Sequence, residues 1–158
     1  MEKISISGVT ADKNIACISV IVIEDKPGAA FRIFSMLARH NINIDIILQS
    51  VGREGTKDIS FTIAQDDVSK ALKLLEERKE NLTIKEMKHK EDVAKISIVG
   101  AGMMTNPGIA AKMFESFYNS GININMISTS EIRITVFIDE KDTDKALLAV
   151  HDGFGLAE

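Results

Sequence analysis

The pattern of apolar and polar positions along this chain occurs twice. In the first copy an apolar, β-branched run at 18–23 is followed by a charged turn at 24–26, a segment of helical period and an alternating segment. The same order returns 80 residues later. The matching pairs are Pro27-Gly28 with Pro107-Gly108, and Ile42-Asn43-Ile44 with Ile122-Asn123-Ile124. A repeat of this length indicates a duplicated folding unit.

Periodicity predicts the same series of elements in both copies: strand, helix, strand, strand and helix, with one further strand in the first copy. Thr10 to Asn14 is polar and is predicted to be a link. The predicted strands are 3–9, 15–23, 42–49, 59–63, 82–87, 93–99, 122–130 and 132–138. The predicted helices begin at Pro27, begin at Asp66 or Asp67, and occupy 108–119 and 142–151. Two helices on one face of a four-stranded antiparallel sheet make each copy a ferredoxin-like unit of the α+β class.

The same periodicity predicts which side chains face the core. The helix stripes are Ala30, Phe31, Ile33, Phe34, Leu37 and Ala38 in the first helix, Val68, Ala71, Leu72 and Leu75 in the second, and Ala110, Met113, Phe114 and Phe117 in the third. In the strand after the first helix, Ile42, Ile44, Ile46 and Leu48 are predicted on one face, and Asn43, Asp45, Ile47 and Gln49 on the other. Ile59, Phe61 and Ile63 are predicted to face inward in the next strand.

The second copy lacks a fourth strand, because only the short, glycine-broken segment 151–158 follows its last helix. The chain has a spare strand at 3–9, and we expect this segment to complete the second sheet. The first domain, 15–90, is then inserted into the second, which consists of 1–14 and 91–158. The alternative is a truncated chain whose second unit has a three-stranded sheet.

Composition limits the classes of function. The 158 residues are 45% hydrophobic and 27% charged, with a net charge of −4 and no basic block, so a nucleic-acid partner is not expected. One cysteine allows no disulfide within the chain, which fits a cytoplasmic setting. No signal peptide or run of 18 apolar residues is present, so no membrane association is expected. Units of roughly 70–80 residues bury little surface alone, so they should pack on each other or on a partner.

Catalytic chemistry is not indicated. His40, His89 and His151 stand at predicted element ends without metal-ligand spacing, and each is interpreted as a solvated residue. Cys17 lies in an apolar strand, where a buried, inert role is expected. Gly100-Ala101-Gly102 lacks the third glycine of a dinucleotide fingerprint, since residue 105 is a threonine. We therefore expect no catalytic residue, no metal and no cofactor.

The turn at 25–28 is the candidate binding site. Free N–H groups at a helix start, together with the helix dipole, can bind a carboxylate, and Gly28 allows close approach to the backbone. Asp25 can accept hydrogen bonds from an ammonium group. One turn therefore offers both halves of an amino-acid site. The alternative is a helix-start charge followed by a tight turn.

The paired segments DKPG with NINIDIILQS, and NPG with GININMISTSEIRITVFI, resemble the regulatory half of aspartokinase, which is built of two ACT domains. The resemblance covers essentially the whole chain, and the ISTSEIR segment at 127–133 makes it specific. It implies an inserted-domain arrangement and feedback inhibition of the kinase by threonine, lysine or both, within the biosynthesis of lysine, threonine and methionine. The kinase domain is missing, so the chain is either a separate β subunit or a C-terminal fragment.

The resemblance also implies an effector site. Asp25 would hold the ammonium group, and the second copy has Thr105 there, which argues against an equivalent site. The other residues implied in the first domain are Lys26, Pro27, Gly28, Ala29, Ala30, Asn43, Ile44, Asp45 and Gln49. Those implied in the second domain are Ile109, Ala110, Asn123, Ile124, Ser130 and Glu131.

The partners implied are the effector, a second copy in a homodimer, and the aspartokinase catalytic domain or α subunit. In that dimer the first domain of one chain would lie beside the second domain of the other. Two other functions remain open: a dimerisation scaffold with a vestigial site, and a stand-alone ACT sensor for another enzyme. The choice between threonine and lysine also stays open.

Overall fold

The computed structural model describes residues 5–23, 28–52, 54–101, 108–130 and 132–154. In this part of the chain the strands and helices follow one another in the predicted order, and the ferredoxin-like, α+β fold class is confirmed. The strands are β1 (Ser5–Val22), β2 (Ile44–Val51), β3 (Lys57–Ala64), β4 (Ile84–Ala101), β5 (Met126–Thr129) and β6 (Arg133–Asp139). The helices are α1 (Ala29–Arg39), α2 (Val68–Glu77), α3 (Gly108–Asn119) and α4 (Thr143–Phe154).

Two predicted breaks in the strands are absent from the structure. The link expected at 10–14 is part of β1, and the strands expected at 82–87 and 93–99 are joined in β4. The turn-like backbone is confined to single residues, Asn14 with φ 63° and Asp92 with φ 54°. Asparagine and aspartate tolerate this left-handed conformation better than other non-glycine residues. A single residue in this conformation therefore replaces the predicted link.

The chain divides into two compact units, Asn14–Glu91 and Met1–Lys13 with Asp92–Glu158. Asn14 and Asp92 are therefore the first residues after the two crossings between units. Within Asn14–Glu91 the strand order is β2-β3-β1-β4, and in the other unit it is β1-β4-β6-β5. The first part of β1 thus belongs to the unit that contains α3 and α4.

The core of the unit Asn14–Glu91 lies between the sheet and the helices α1 and α2. Ile59, Phe61 and Ile63 are buried as predicted, and the rings of Phe34 and Phe61 meet edge to face at 5.4 Å. The predicted stripe of α1 is partly wrong, because Phe31 is 73% exposed. The residues of α1 that are buried are Ala29, Ile33, Met36 and Leu37. The helix is rotated by about one residue relative to the prediction, which brings Met36 inward and leaves Phe31 and Ala38 outside.

The second unit has a separate core between its sheet and the helices α3 and α4. The bounds predicted for α3 are confirmed, and Met113 and Phe117 are fully buried. Phe114, which was predicted to face the core, is 38% exposed, and Ile109 takes the inward position. The strand β5 is shorter than predicted and α4 extends further, to Phe154.

The predicted alternation along β2 is interrupted by a β-bulge. Ile44 lies opposite Ile63 and Ile47 lies opposite Phe61, so two residues of β2 face one residue of β3. Cross-strand partners share a face of the sheet, so Ile44 and Ile47 lie on the same, helix-facing side. The prediction that put them on opposite faces is wrong, because one extra residue inverts the alternation that follows.

The side chain of Thr62 completes the bulge. The Ile46 N–H group, which leaves the regular ladder here, donates a hydrogen bond to Thr62 Oγ1 at 3.1 Å. Thr62 is fully buried, although threonine is usually exposed. Its burial is explained by this bond, since an unpaired buried N–H group is costly.

We predict that Thr62→Val destabilises the chain by about 1–3 kcal/mol, because valine keeps the volume but leaves the Ile46 N–H group without an acceptor. Thr62→Ser keeps the hydroxyl and should cost less, about 1 kcal/mol. Urea denaturation followed by circular dichroism measures both. Equal destabilisation by the two variants would show that the methyl group, and not the hydrogen bond, matters.

The helices α3 and α4 approach closely at Gly153. A Cβ atom on Gly153 would lie 2.1 Å from Ser116 Oγ and 3.2 Å from Ser116 Cβ. The Ser116 hydroxyl donates a hydrogen bond to the Lys112 carbonyl at 2.9 Å, which holds it in this position. Gly153 is the next-to-last residue of α4, and this contact leaves little room for a side chain there.

We predict that Gly153→Ala destabilises the chain by about 1–3 kcal/mol through overpacking against Ser116. In a Ser116→Gly background the same change should be neutral or stabilising, because alanine is a better helix former than glycine. A double-mutant cycle of thermal unfolding gives the coupling energy. Additive effects of the two changes would contradict the proposed contact.

Candidate functional site

The candidate site is built on the N-terminus of α1. Gly28 is the N-cap residue, with φ 104° and ψ −9°, and no side chain of the described residues caps the helix. The first helical hydrogen bond runs from the Arg32 N–H group to the Gly28 carbonyl at 2.9 Å. The N–H groups of residues 29–31 precede this bond and point away from the helix, where the macrodipole favours an anion.

Gly28 is required here by its backbone conformation and not by crowding. A φ of 104° is strained for any residue with a side chain, whereas no atom of the described residues, chain neighbours apart, lies within 4 Å of the position of a Cβ atom. The side chain of Ala29 is buried in the core and that of Ala30 is half-buried, so both would offer their backbone to a ligand.

The structure brings Gln49 to the same end of the sheet as this helix start. Val51 lies opposite Lys57, which in turn lies opposite Val22, the last residue of β1 before the turn into α1. Gln49 stands two residues before Val51. It is exposed and lies opposite the buried Ile59, on the helix-facing side of the sheet.

Asn43, Ile44 and Asp45 lie at the opposite end of β2. Ile44 is opposite Ile63, which is paired with Ala16 near the first residues of this unit. At the rise of an extended strand, Ile44 and Gln49 are separated by roughly 16 Å. A single amino acid therefore contacts only one of these two groups of residues within this unit.

In the second unit the implied residues serve different purposes. Ile109 is 1% exposed and belongs to the core, and Ala110 and Ile124 pack against that core. Asn123 is exposed. The Ser130 N–H group donates to the Arg133 carbonyl at 2.8 Å, which closes the hairpin between β5 and β6. Among the described residues of this set, the exposed polar side chains are those of Asn123 and Ser130.

Several predicted site residues lie outside the described residues: Asp25, Lys26, Pro27 and Glu131, together with Thr105. Asp25, the predicted ammonium anchor, therefore stays a prediction. The elements on both sides of it are described, since β1 ends at Val22 and α1 begins at Ala29.

Sequence reasoning missed a concave region at this end of the unit. A cavity of about 760 Å³ is lined by the end of β1 and the β2–β3 hairpin, with Ile21, Val51 and Thr56 among the lining residues. Asp58 and Lys85 supply charges of both signs. Ile21 and Asp58 are cross-strand partners in β1 and β3, so they share a face of the sheet.

The histidines and the cysteine are placed without catalytic geometry. His89 is exposed, but the predictions for His40 and His151 are wrong, because both are half-buried. His40 Nδ1 lies 2.8 Å from the Met36 carbonyl, whereas His151 Nδ1 is buried and has no hydrogen-bond partner in the part of the chain that the structure describes. Among the described residues no group of three His, Cys, Asp or Glu side chains could hold a metal ion.

No described helix is long and apolar enough to cross a membrane.

Comparison with protein families identifies both copies. Profiles of the ACT domain match residues 18–80 and 96–154. Each match lies within one of the two compact units. The repeat in the sequence therefore corresponds to two ACT domains.

Solved structures and curated relatives are similar over almost the whole chain. A chain from a structure of aspartokinase α and β subunits is 41% identical with a TM-score of 0.87, covering 96% of this chain and 100% of its own. The ligand-free regulatory subunit of aspartate kinase from Thermus thermophilus is 39% identical, with a TM-score of 0.85, and 95% of this chain and 99% of that subunit are covered. The aspartokinase of Corynebacterium efficiens is 41% identical over 158 residues, which are 99% of this chain and 38% of the relative.

The environment of Cys17 predicts low reactivity. Burial raises the pKa of the Cys17 thiol, and a hydrogen bond with Ser19 acts in the opposite direction. The net pKa is above the ordinary value, so less thiolate is present at neutral pH than in the unfolded chain. We predict that Cys17 reacts with Ellman's reagent at least about tenfold more slowly in the folded chain than in denaturant, with the rate rising toward alkaline pH. Equal rates in both states would contradict this environment.

Proposed function

Because this chain belongs to the family of aspartokinase regulatory subunits with paired ACT domains, we propose that it binds threonine or lysine and transmits feedback inhibition to the kinase. The chain contains the regulatory region alone, without the catalytic part, and spans 38% of the length of the curated relatives it matches. Regulation and not catalysis is therefore the function of these residues.

The observation that carries the proposal is the N-terminus of α1, which begins at the left-handed Gly28 and is capped by none of the described side chains. The N–H groups of residues 29–31 are suitable for the carboxylate of an amino acid. Asp25, three residues before Gly28, is suitable for its ammonium group. Gln49, at the same end of the sheet, adds an exposed amide for the effector side chain.

We also propose that the two compact units are the two domains deduced from the repeat, and that the second contributes to effector binding through Asn123 and backbone groups. The chain is proposed to act as a homodimer and to associate with an aspartokinase catalytic domain or α subunit. The proposed dimer is supported by the small size of each unit, which leaves apolar surface such as Val51 and Tyr118 exposed. Analytical ultracentrifugation with and without effector tests it, and a concentration-independent monomer would contradict it.

We predict that Asp25→Ala weakens effector binding by roughly 30- to 1000-fold. The change removes a charge-assisted hydrogen bond and leaves an ammonium group unpaired, a loss on the order of 2–4 kcal/mol. The fold should be little affected, because residue 25 lies between β1 and α1 and outside both elements. Titration calorimetry with threonine and with lysine measures the affinity, and circular dichroism checks the fold.

Thr105→Ala is the matched control, because Thr105 is the residue of the second copy that corresponds to Asp25. It should change the affinity by less than about threefold. Equal affinity of Asp25→Ala and the unchanged chain would place the anchor elsewhere. Failure of the unchanged chain to bind either amino acid would favour a scaffold without a sensing role.

A further inference from the structure

The helix layer of the unit Asn14–Glu91 contains a pocket with a cationic lining. It has a volume of about 310 Å³ and lies between α1 and the segment that follows α2. Three arginines line it: Arg32, Arg39 and Arg78. Among the described residues that line this pocket none is acidic, although the chain as a whole has a net charge of −4. The pocket extends along α1 from Phe31 to Arg39 and begins one turn after the N-cap residue Gly28.

The three guanidinium groups are weakly engaged by the described part of the protein. Arg32 Nη1 lies 3.4 Å from the Asn81 carbonyl, at the long limit of a hydrogen bond. Arg78 Nη1 lies 3.8 Å from Glu77, a partly exposed pair that contributes little. For Arg39 the described residues include no ion-pair or hydrogen-bond partner. Each group therefore keeps most of its five N–H donors for a ligand.

The positions of the three arginines allow all of them to reach the same pocket. Arg32 and Arg39 are seven residues apart, which is two helical turns, so both project from the same face of α1 about 10 Å apart. Arg78 is the C-cap residue of α2 and approaches the same pocket from the neighbouring helix. Phe31, which is 73% exposed, adds an apolar surface at the pocket.

The second copy shows that the fold does not require these arginines. In the 80-residue repeat Arg32 corresponds to Lys112 and Arg39 to Asn119. The Lys112 ammonium group is already engaged, at 5.3 Å from the centre of the Phe154 ring. The helix α3 therefore ends without a basic residue in its last turn, whereas α1 ends with Arg39.

The third arginine is likewise particular to the first copy. The buried residues Ala71 of α2 and Ala146 of α4 occupy matching places, each three residues after the helix begins. The same alignment makes Arg78 correspond to Gly153, where the helices are too close for a side chain. Two copies of one fold thus differ in all three positions, which a role in helix stability alone does not explain.

We propose that this arginine pocket binds a small organic phosphate, with the phosphate group held by the three guanidinium groups and the organic part against Phe31. A phosphate has three acceptor oxygens and about two negative charges, so several arginines can bind it at once, whereas a single carboxylate is satisfied by one bidentate arginine. The volume is that of a small-ligand site. This site uses side chains of α1 and of the segment after α2, whereas the amino-acid site proposed above uses backbone groups at the start of α1.

Calorimetric titration of the chain with inorganic pyrophosphate tests the proposal, at constant ionic strength maintained with potassium chloride. The unchanged chain should bind pyrophosphate with a Kd below about 1 mM. Arg39→Gln and Arg78→Gln should each weaken binding about tenfold, because each removes charge-assisted hydrogen bonds. Arg39→Lys should fall between, since it keeps the charge and loses the planar fork.

Lys112→Gln is the matched control, because it removes a positive charge from the corresponding face of the second unit. It should leave pyrophosphate binding unchanged, and a loss equal to that of Arg39→Gln would show binding to net charge alone and overturn the proposal. Citrate at the same concentration should bind at least about tenfold more weakly, and equal affinity for citrate would overturn the assignment to phosphate. Absence of saturable pyrophosphate binding up to about 10 mM would also overturn it.

Discussion

The pairing of β1 with β4 is the interaction on which both units depend. Each unit contains one part of β1 and one part of β4. The four strands of each unit are therefore complete only when β1 and β4 pair. In Asn14–Glu91 the Ile23 N–H group donates to the Thr83 carbonyl at 2.8 Å, and in the other unit Lys95 lies 3.8 Å from Asp12. A ferredoxin-like unit of this size is marginal, and loss of an edge strand would expose a core built on the remaining three. The left-handed residues Asn14 and Asp92 allow each strand to serve both units without a loop.

The two helix layers show what the fold constrains and what it leaves free. Inward positions are apolar in both copies, with Ile33 and Leu37 in α1 corresponding to Met113 and Phe117 in α3. Outward positions differ in chemistry, as the arginines of α1 and the neutral Asn119 of α3 illustrate. Packing restricts the inward positions, because a polar or undersized side chain in the core lowers the free energy of unfolding. A substitution at an exposed position changes this free energy very little. Differences between the copies on the outer face are therefore where their functions are expected to diverge.

The candidate effector site follows the same logic. Its backbone component, the open helix start at Gly28, comes from the repeated Pro-Gly pattern and lies at one end of the sheet. The β-bulge in β2 then decides which side chains reach that end and on which face, and it depends on one buried hydroxyl, that of Thr62. A site formed in this way can change specificity through residues of β2 while the core beneath it remains the same.

Local pattern was sufficient to predict the duplicated unit, the fold class, the helices and the inward residues of β3, because burial of one face imposes a period that is visible in the sequence. It also predicted a special backbone role for Gly28, which is the left-handed N-cap residue of α1. Tertiary structure alone decided that β1 and β4 continue through polar segments, since pairing partners compensate for weak local preference. It likewise decided the bulge in β2 and the meeting of Arg32, Arg39 and Arg78. Both features depend on residues that are distant in the sequence, and the local periodicity does not indicate which of these residues become neighbours.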